Sequence, residues 1–245
     1  MNLKEFFREN NKVAIAFSGG TDSAFLLYAA AEYGAEATAY YVKSQFQPAF
    51  ELEDAVKISE LTGIKMKILE FNILTDEIAS NPPDRCYYCK HRIMSAVTDA
   101  ALEDGYSLII DGTNASDDAG DRPGMKALGE LGIRSPLREC GITKDEVRRQ
   151  SRMAGLPTWD KPAYACLATR IGEGEWITKE KLERTERAEE FMKGLGFTDF
   201  RVRTRGEGAL VQVKADQYDM ARSLMNEIKS GLSDYDSVSL DSVIR

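Results

Sequence analysis

A six-residue segment near the N-terminus has the residue types of a phosphate-binding loop: Ser18-Gly19-Gly20-Thr21-Asp22-Ser23. Its two glycines allow a tight turn and let the backbone approach a ligand without a Cβ in the way. The serine hydroxyls add hydrogen-bond donors, and the aspartate carboxylate is suited to hold Mg²⁺ on phosphate oxygens. This composition indicates an anion site, and the alternative is an ordinary N-capped turn.

The residues on either side of the loop favour the anion site. Residues 13–17 (VAIAF) are typical of a buried strand, and residues 24–33 (AFLLYAAAEY) predict a helix that ends at Gly34. The first N–H groups of such a helix point at the loop, and its positive dipole end attracts anions. Because the segment lacks the Gly-Lys-Ser/Thr ending of a Walker A motif, it predicts a nucleotide site of another type.

The four cysteines form a second group that could do chemistry. Cys86 and Cys89 form a CxxC pair, and Cys166 lies far along the chain. Three thiolates could bind a four-iron cluster and leave one iron open for a transferable sulfide. The alternatives are a structural zinc site with Cys140 or His91 as its fourth ligand, a redox pair, or buried thiols. We interpret Cys140 as a packing residue.

The composition excludes several function classes. His91 is the single histidine, so an HExxH zinc site is impossible. Few side chains are therefore available for acid–base catalysis at neutral pH, and activation of the substrate by ATP would avoid the need for it. The net charge of -8 disfavours nucleic acid and membrane surfaces as partners. Neither a membrane-spanning apolar run nor a signal peptide is evident, so we expect a cytoplasmic protein.

The order of the predicted elements indicates an α/β fold. After the first helix come a strand at 37–42, a helix at 51–62, a strand at 64–71, a helix at 90–104 and a strand at 107–111. This alternation is typical of a parallel sheet. The polar stretch from Gly112 to Gly124 predicts a functional loop at the strand ends. Thr143 and Glu146 form a capping box that predicts a helix to about Ala154.

The pattern changes near residue 176. Residues 155–176 predict a long ordered or lid-like loop that carries Cys166. The remaining chain predicts a helix at 178–194, strands at 197–204 and 208–214, a helix at 215–229 and a final strand. We therefore expect a Rossmann-like parallel-sheet domain at 1–176 and a smaller α+β domain, for substrate binding or oligomerisation, at 177–245.

Several motifs together resemble one known family. SGGTDS is similar to the PP-loop, SGGxDS, of the ATP pyrophosphatase superfamily. Over nearly the whole chain, RCYYCK, DGTNASDD, DRPG, SPLRE and GLPTWDKPAYACLATR resemble the LarE family of ATP-dependent sulfur transferases. That family acts in assembly of the nickel-pincer nucleotide cofactor of lactate racemase.

The resemblance implies a particular reaction. ATP would adenylate a carboxylate of a pyridinium biscarboxylate mononucleotide, pyrophosphate and then AMP would leave, and a thiocarboxylate would result. One branch of the family takes sulfur from a single cysteine, matched by Cys166, which becomes dehydroalanine. A second branch binds a 4Fe-4S cluster through three cysteines, matched by Cys86, Cys89 and Cys166. The chain resembles the second branch, so the expected cofactors are that cluster with an open iron and Mg²⁺, with ATP as cosubstrate.

The resemblance also implies roles for other residues. The predicted ATP site joins the loop Ser18–Ser23 to the family's second nucleotide-side motif, matched at Asp111, Thr113, Asn114 and Asp117. The predicted catalytic residues are Cys166, Arg170 and Asp22, with the arginine stabilising the acyl adenylate or pyrophosphate.

The C-terminal part carries the predicted substrate-phosphate site. In a strand, Arg201, Arg203 and Arg205 would point to one face, and we assign the first two to that phosphate. The family's acidic cluster is matched at Glu189, but Gln212 stands where the family has a glutamate, which weakens the case for a C-terminal metal site.

The expected partners are a small-molecule nucleotide substrate, a protein of the same cofactor pathway and further copies of this chain. Three alternative functions remain open at the level of sequence. They are a tRNA thiolase, an amide-forming PP-loop ligase and a nucleotide sensor with structural zinc.

Overall fold

A computed structural model describes residues 1–117, 123–162 and 164–242 of the chain. In chain order the helices and strands are α1 (Leu3–Glu9), β1 (Lys12–Ala16), α2 (Thr21–Glu32), β2 (Glu36–Lys43), α3 (Ala49–Thr62), β3 (Met66–Glu70), α4 (Asp76–Ala79), α5 (Arg85–Glu103), β4 (Ile109–Asp111), α6 (Pro123–Glu130), α7 (Pro136–Glu139), α8 (Lys144–Met153), α9 (Lys179–Gly194), β5 (Arg201–Arg205), β6 (Gly208–Gln212), α10 (Tyr218–Ser223), α11 (Met225–Gly231) and β7 (Ser237–Leu240). Short 3-10 turns lie at Leu167–Arg170 and Ala215–Gln217.

The described residues form two compact units. The first comprises Met1–Ile73 and Asp84–Ala163, and the second comprises Leu74–Pro83 and Tyr164–Arg245. Each unit is a set of residues that pack more closely with one another than with the rest of the chain. The division into domains at 1–176 and 177–245 stays a prediction about independently folding parts.

The first unit is built on a parallel sheet with the strand order β3-β2-β1-β4. Side chains of β1 alternate between its faces: Val13 and Ile15 join a core with α2, whereas Ala14 and Ala16 join a core with α5. Both faces are therefore buried, which is why this strand is an apolar run rather than an alternating one. The predicted α/β class is confirmed.

The second unit contains a three-stranded mixed sheet in the order β5-β6-β7. Strands β5 and β6 are antiparallel, and β6 and β7 are parallel. Its core includes Met192 from α9, Val202 and Val211 from the strands, and Ile228 from α11. The predicted smaller α+β part is confirmed as a fold.

Helix α5 starts at Arg85, five residues before the predicted start at residue 90. The cysteines and tyrosines of RCYYC are weak helix formers, and the N-cap residue makes no side-chain hydrogen bond, so the segment gives little local signal. Packing supports the early turn, because the Arg85 side chain is buried with its guanidinium 6.0 Å from the Phe46 ring centroid. Cys86 and Cys89 consequently lie on a helix and not in the loop before it.

Other predicted boundaries also shift for physical reasons. Strand β5 begins at Arg201 and not at residue 197, because Gly196 and Asp199 have positive φ values of 91° and 49°. The predicted helix at 215–229 is a 3-10 turn followed by α10 and α11. At the start of α8, Thr143 accepts from the Glu146 N–H, but the Glu146 carboxylate binds Arg149 and Gln150, so only half of the capping box forms.

Candidate functional site

The loop Ser18–Ser23, named the phosphate loop after its predicted role, lies where the strand order of the first unit reverses. Strand β1 has β2 on one side and β4 on the other, and Ala16 of β1 is in register with Asp111 of β4. The loops after these two strands therefore leave the same edge of the sheet side by side. Open α/β sheets bind ligands at such a switch point.

Gly19 is required by the shape of the loop. Its φ is +71°, and a Cβ there would lie 3.1 Å from both the Ala55 Cβ and the Glu51 carbonyl oxygen. Helix α3 is thus packed directly against the turn. The Ser18 and Ser23 hydroxyl oxygens are 3.1 Å apart and close the loop from within.

Helix α2 begins at the end of this loop. Its N-cap residue, Gly20, makes no side-chain capping hydrogen bond. The first N–H groups of a helix have no partner within the helix. They are therefore suited to donate to an anion at the loop, as the sequence predicts.

A later part of the first unit holds the loop in place. The Thr21 hydroxyl is buried and donates to the Thr158 carbonyl at 2.8 Å. The Lys161 ammonium donates to the Gly19 carbonyl at 3.4 Å and to the Asp54 carboxylate at 2.8 Å. These contacts connect residues more than a hundred positions apart, and local sequence patterns do not predict them.

Asp111 organises the loop after β4. One carboxylate oxygen accepts from the Ser135 hydroxyl at 2.6 Å, and the other accepts from the Thr113 hydroxyl at 2.6 Å. The Lys90 ammonium lies 3.5 Å from the second oxygen. Asp111 is 3% exposed, so this carboxylate is buried and held by protein donors. It fixes the loop that faces the phosphate loop.

The next residues of that loop form a local turn. The Asn114 N–H donates to the Asp117 carboxylate at 3.0 Å, and the Asn114 side-chain oxygen accepts from the Ser116 N–H at 2.8 Å. The part of the predicted functional loop at residues 118–122 lies outside the described residues.

The two loops border a cavity of about 520 Å³. Its lining residues all belong to the first unit: Ala16, Ser18, Gly20, Asp22, Ser23, Cys86, Lys90, Met94, Asp111, Gly112, Thr113, Asp117, Gly124 and Met125. Part of the wall is apolar and part carries hydroxyl, carboxylate and ammonium groups. Such a mixture is typical of small-molecule sites.

Most of the predicted ATP-site residues contribute to this lining, and three do not. Gly19 lies against α3, Thr21 is anchored to residue 158, and Asn114 is 2% exposed within its own turn. These three shape the loops. Sequence reasoning missed Lys90 and Gly112, although both lie in quoted motifs. The assignment of the predicted residues to ATP binding stays a prediction.

Cys86 and Cys89 lie on the first turn of α5. Residues three apart on a helix project from one face, about 5 to 6 Å apart at Cβ. Cys86 is exposed and lines the cavity, and Cys89 is half-buried. Neither is in a disulfide. Two thiols three residues apart on a helix, one of them at a cavity wall, are spaced for two ligands of a metal or an iron–sulfur cluster.

Cys166 belongs to the second unit, where its backbone is firmly held. Its carbonyl accepts from the Thr169 N–H at 3.0 Å, the Thr169 hydroxyl at 2.8 Å and the Arg170 guanidinium at 3.3 Å. The predicted loop at 155–176 therefore contains an ordered 3-10 turn directly after this cysteine.

Arg170 is fully buried in the second unit. Its Nε and Nη2 donate to the two Glu189 carboxylate oxygens at 2.8 and 3.1 Å, and its Nη1 donates to the Ala165 carbonyl at 2.7 Å. The predicted role of Arg170 on an acyl adenylate stays a prediction. The observed contacts give it a further role, which is to fix the backbone on both sides of the Cys166 peptide.

Glu189 has its carboxylate surrounded by donors. Besides Arg170, the Tyr164 hydroxyl donates to it at 2.6 Å and the Val202 N–H donates at 3.0 Å. A carboxylate used in this way has little capacity left for a metal ion. Gln212, at the position of the expected glutamate, instead donates to Asp241 at 2.6 Å.

The predicted phosphate-binding arginines also lie in the second unit. Arg201 is 6% exposed, and Arg203 donates to the Thr169 carbonyl at 3.0 Å. Arg205 donates to the Thr204 carbonyl at 2.8 Å. The strand alternation predicted for them is present, and their role on a substrate phosphate stays a prediction.

Within residues 1–117, 123–162 and 164–242, no three His, Cys, Asp or Glu side chains are arranged to hold a metal ion. The predicted cluster ligands are divided between the units, with Cys86 and Cys89 in the first and Cys166 in the second. The cluster stays a prediction. Among the same residues, no helix is long and apolar enough to cross a membrane.

The rate of alkylation should differ between Cys140 and Cys86. Burial raises the pKa of the Cys140 thiol, and the nearby Glu139 charge adds to the shift. Because the thiolate is the reactive form, we expect iodoacetamide to modify Cys140 severalfold more slowly than the exposed Cys86 in iron-free protein. Peptide mass spectrometry over a time course measures both rates. Equal rates would contradict the packing role of Cys140.

The class of the protein follows from this fold and site. A parallel sheet in the order β3-β2-β1-β4, with an SGGxDS loop at its switch point, defines a Rossmann-like unit of the PP-loop type. A relative of that type is the tRNA-specific 2-thiouridylase MnmA of Fervidobacterium nodosum, which is 28% identical in an alignment of 126 residues that covers 41% of this chain and 36% of the relative.

Two other relatives cover most of the chain. An uncharacterized protein of Synechocystis is 40% identical over 218 residues, which are 88% of this chain and 81% of the relative. The pyridinium-3,5-bisthiocarboxylic acid mononucleotide synthase of Lactiplantibacillus plantarum is 31% identical over 209 residues, which are 84% of this chain and 76% of the relative. No family model matches. By its similarity to this synthase, the chain belongs to the LarE family of sulfurtransferases.

Proposed function

We propose that this protein is an ATP-dependent sulfurtransferase that converts a carboxylate of a pyridinium biscarboxylate mononucleotide to a thiocarboxylate. The product class is that named for the Lactiplantibacillus plantarum relative. In this proposal the thiocarboxylate belongs to nickel-pincer nucleotide biosynthesis. The activating step is adenylation by ATP.

One observation carries the proposal: Cys86 lines the same cavity as Ser18, Gly20 and Ser23. A thiol from a CxxC pair and a phosphate-binding loop thus share one continuous space within the first unit. Sulfur transfer to an adenylated acid needs both of these components close together. A ligase that only forms amides would give the two thiols no role.

The residues of the loop bind and orient ATP. The N–H groups at the start of α2 and the Ser18 and Ser23 hydroxyls donate to phosphate oxygens. Asp22 holds Mg²⁺ on the same phosphates. Arg170, besides its observed contacts with Glu189, is assigned to the negative charge of the acyl adenylate.

The chemistry proceeds by two displacements. A substrate carboxylate oxygen attacks the α-phosphorus, the bond from that phosphorus to the bridging oxygen breaks, and pyrophosphate leaves. A sulfur nucleophile then attacks the acyl carbon, the bond from that carbon to the AMP oxygen breaks, and AMP leaves. Because pyrophosphate and AMP are both good leaving groups, neither displacement needs a strong acid from the protein, which agrees with the single histidine.

Three cysteines are proposed to hold a 4Fe-4S cluster: Cys86, Cys89 and Cys166. The pair on α5 is spaced for two of its iron sites, because residues three apart project from one side of a helix, and Cys86 lines the cavity. When bound, a cluster with an open iron supplies a sulfide as the nucleophile. Arg201 and Arg203 are proposed to bind the phosphate of the mononucleotide.

Anaerobic turnover with ATP and the biscarboxylate mononucleotide tests the proposal. Cys86→Ser, Cys89→Ser and Cys166→Ser should each lower thiocarboxylate formation on the order of 100-fold or more, because the three thiols act as a unit. Cys140→Ser is the matched control and should keep wild-type activity. Products are measured by mass spectrometry, and iron by metal analysis.

Other outcomes decide between the alternatives. Dehydroalanine at Cys166 after one turnover would show that this residue, and not a cluster, donates the sulfur. Bound zinc without iron would contradict the cluster. Salt-sensitive binding of tRNA would favour a thiolase, the activity named for the more distant relative, which matches 41% of this chain.

A further inference from the structure

The side chain of Lys144 contacts Asp22 of the phosphate loop. The Lys144 Nζ donates to the Asp22 Oδ2 at 2.6 Å, with side-chain exposures of 32% and 24%. Asp22 lines the cavity and Lys144 does not. The lysine therefore acts on the cavity only through the carboxylate that it holds.

The other oxygen of Asp22 is in a different situation. Oδ1 is buried, and the described residues offer it no hydrogen-bond partner. A buried carboxylate oxygen without a donor is costly, and native proteins normally satisfy such groups. Lys144 therefore satisfies only one oxygen of Asp22, and the carboxylate keeps the capacity to bind a cation.

The position of Lys144 is unfavourable for the helix that carries it. It is the first residue of α8, where the helix dipole disfavours a positive charge. Its backbone N–H donates to the Ser116 hydroxyl at 3.0 Å, and the Ile142 carbonyl accepts from the Ala115 N–H at 2.8 Å. These two hydrogen bonds connect the loop after β4 to the start of α8 and hold Lys144 in place. All of these residues belong to the unit that forms the cavity.

We infer that Lys144 is a positioning residue that neutralises Asp22 in the absence of metal and holds its carboxylate at the wall of the cavity, where the cation of ATP binds. A bare carboxylate beside a phosphate site repels the nucleotide. The ammonium removes this repulsion before Mg²⁺ arrives, and once Mg²⁺ is bound the metal supplies most of the neutralising charge. The inference rests on the ATP-binding part of the proposed function.

Equilibrium binding of ATP, measured by calorimetry with excess EDTA and again with Mg²⁺, tests this inference. Lys144→Met should weaken metal-free binding about tenfold, because the Asp22 charge is no longer neutralised, and should weaken binding with Mg²⁺ much less. Asp22→Asn should strengthen metal-free binding. The double variant, which lacks both charges, should return to the wild-type metal-free affinity.

Two further variants serve as controls. Lys144→Arg keeps the charge and should keep the wild-type ratio of the two dissociation constants. Lys12→Met removes an exposed lysine that pairs with Glu36 at 3.1 Å, and it should change neither constant.

Three results would overturn the inference. Equal weakening by Lys144→Met with and without Mg²⁺ would indicate a purely structural lysine. Dissociation constants that stay at their wild-type values under both conditions would show that the ion pair has no effect on the phosphates. Absence of ATP binding by the wild-type protein would overturn both the inference and the ATP-dependent step, whereas normal ATP binding without sulfur transfer would contradict only the proposed sulfur chemistry.

Discussion

Replacement of Glu189 by alanine should lower the free energy of unfolding by about 3 to 5 kcal/mol. The Arg170 guanidinium that pairs with it is 0% exposed, so the change would leave a buried charge without its carboxylate. The Tyr164 hydroxyl and the Val202 N–H would lose their acceptor as well. Urea denaturation followed by circular dichroism measures the loss.

The next residue on the same helix provides the control. Glu190 is exposed, and Glu190→Ala should change the free energy of unfolding by no more than about 0.5 kcal/mol. Replacing both partners, as Arg170→Met with Glu189→Leu, should recover part of the stability because no buried charge remains, although the Tyr164 hydroxyl and the Val202 N–H still lack their acceptor. If Glu189→Ala were no more destabilising than Glu190→Ala, the ion pair would not be holding the second unit together.

The same variant reports on Cys166. The Arg170 guanidinium donates to the carbonyls of Ala165 and Cys166, and Glu189 holds that guanidinium from the other side. Loss of the carboxylate should therefore loosen the backbone at Cys166. Faster alkylation of Cys166 in Glu189→Ala than in Glu190→Ala would demonstrate this coupling.

The local elements of the first unit could be predicted because their signals are local. The apolar run of β1, the SGGTDS loop and the helix α2 are adjacent in sequence, and each has its own pattern. The carboxyl end of β4 could also be placed beside them, since adjacent parallel strands share an edge. This much of the fold and of the phosphate loop required no knowledge of distant contacts.

The remaining features depend on contacts between distant residues. Lys144 and Asp22 are 122 positions apart, and Lys161 and Gly19 are 142 apart. Arg170 carries a charge that predicts an exposed or catalytic residue, and only its contact with Glu189 explains its complete burial. The early start of α5 likewise depends on the packing of Arg85 against Phe46. Sequence patterns identify such residues as polar and leave their partners open.

Replacement of Gly112 by alanine should abolish tight nucleotide binding while leaving the chain folded. A Cβ at this position would lie 2.8 Å from the Ser23 nitrogen and 3.0 Å from the Ser23 Cα. Both are backbone atoms at the start of α2, so a side-chain rotation cannot relieve the overlap. The loop after β4 and the phosphate loop must separate, which costs about 1 to 3 kcal/mol of stability.

The effect on binding should be similar in free energy to the effect on stability, and it should be visible in protein that remains folded. The N–H groups at the start of α2 have to converge on the phosphates, and a displacement of about 1 Å can cost 100-fold in a positioned site. Calorimetric titration with ATP and Mg²⁺ should therefore show an affinity about tenfold to 100-fold weaker for Gly112→Ala. Thermal unfolding of the same sample confirms that the protein is folded.

Gly129→Ala is the matched control for this experiment. Gly129 lies in α6 of the same unit and is exposed, and a Cβ at this position would meet no atom within 4 Å beyond its own helix and its chain neighbours. Alanine there should keep ATP affinity and raise stability by about 0.4 to 1 kcal/mol, because alanine is the better helix former. Equal ATP affinity in Gly112→Ala and Gly129→Ala would contradict the site, since it would mean that the contact between the two loops does not set the position of the phosphate-binding N–H groups.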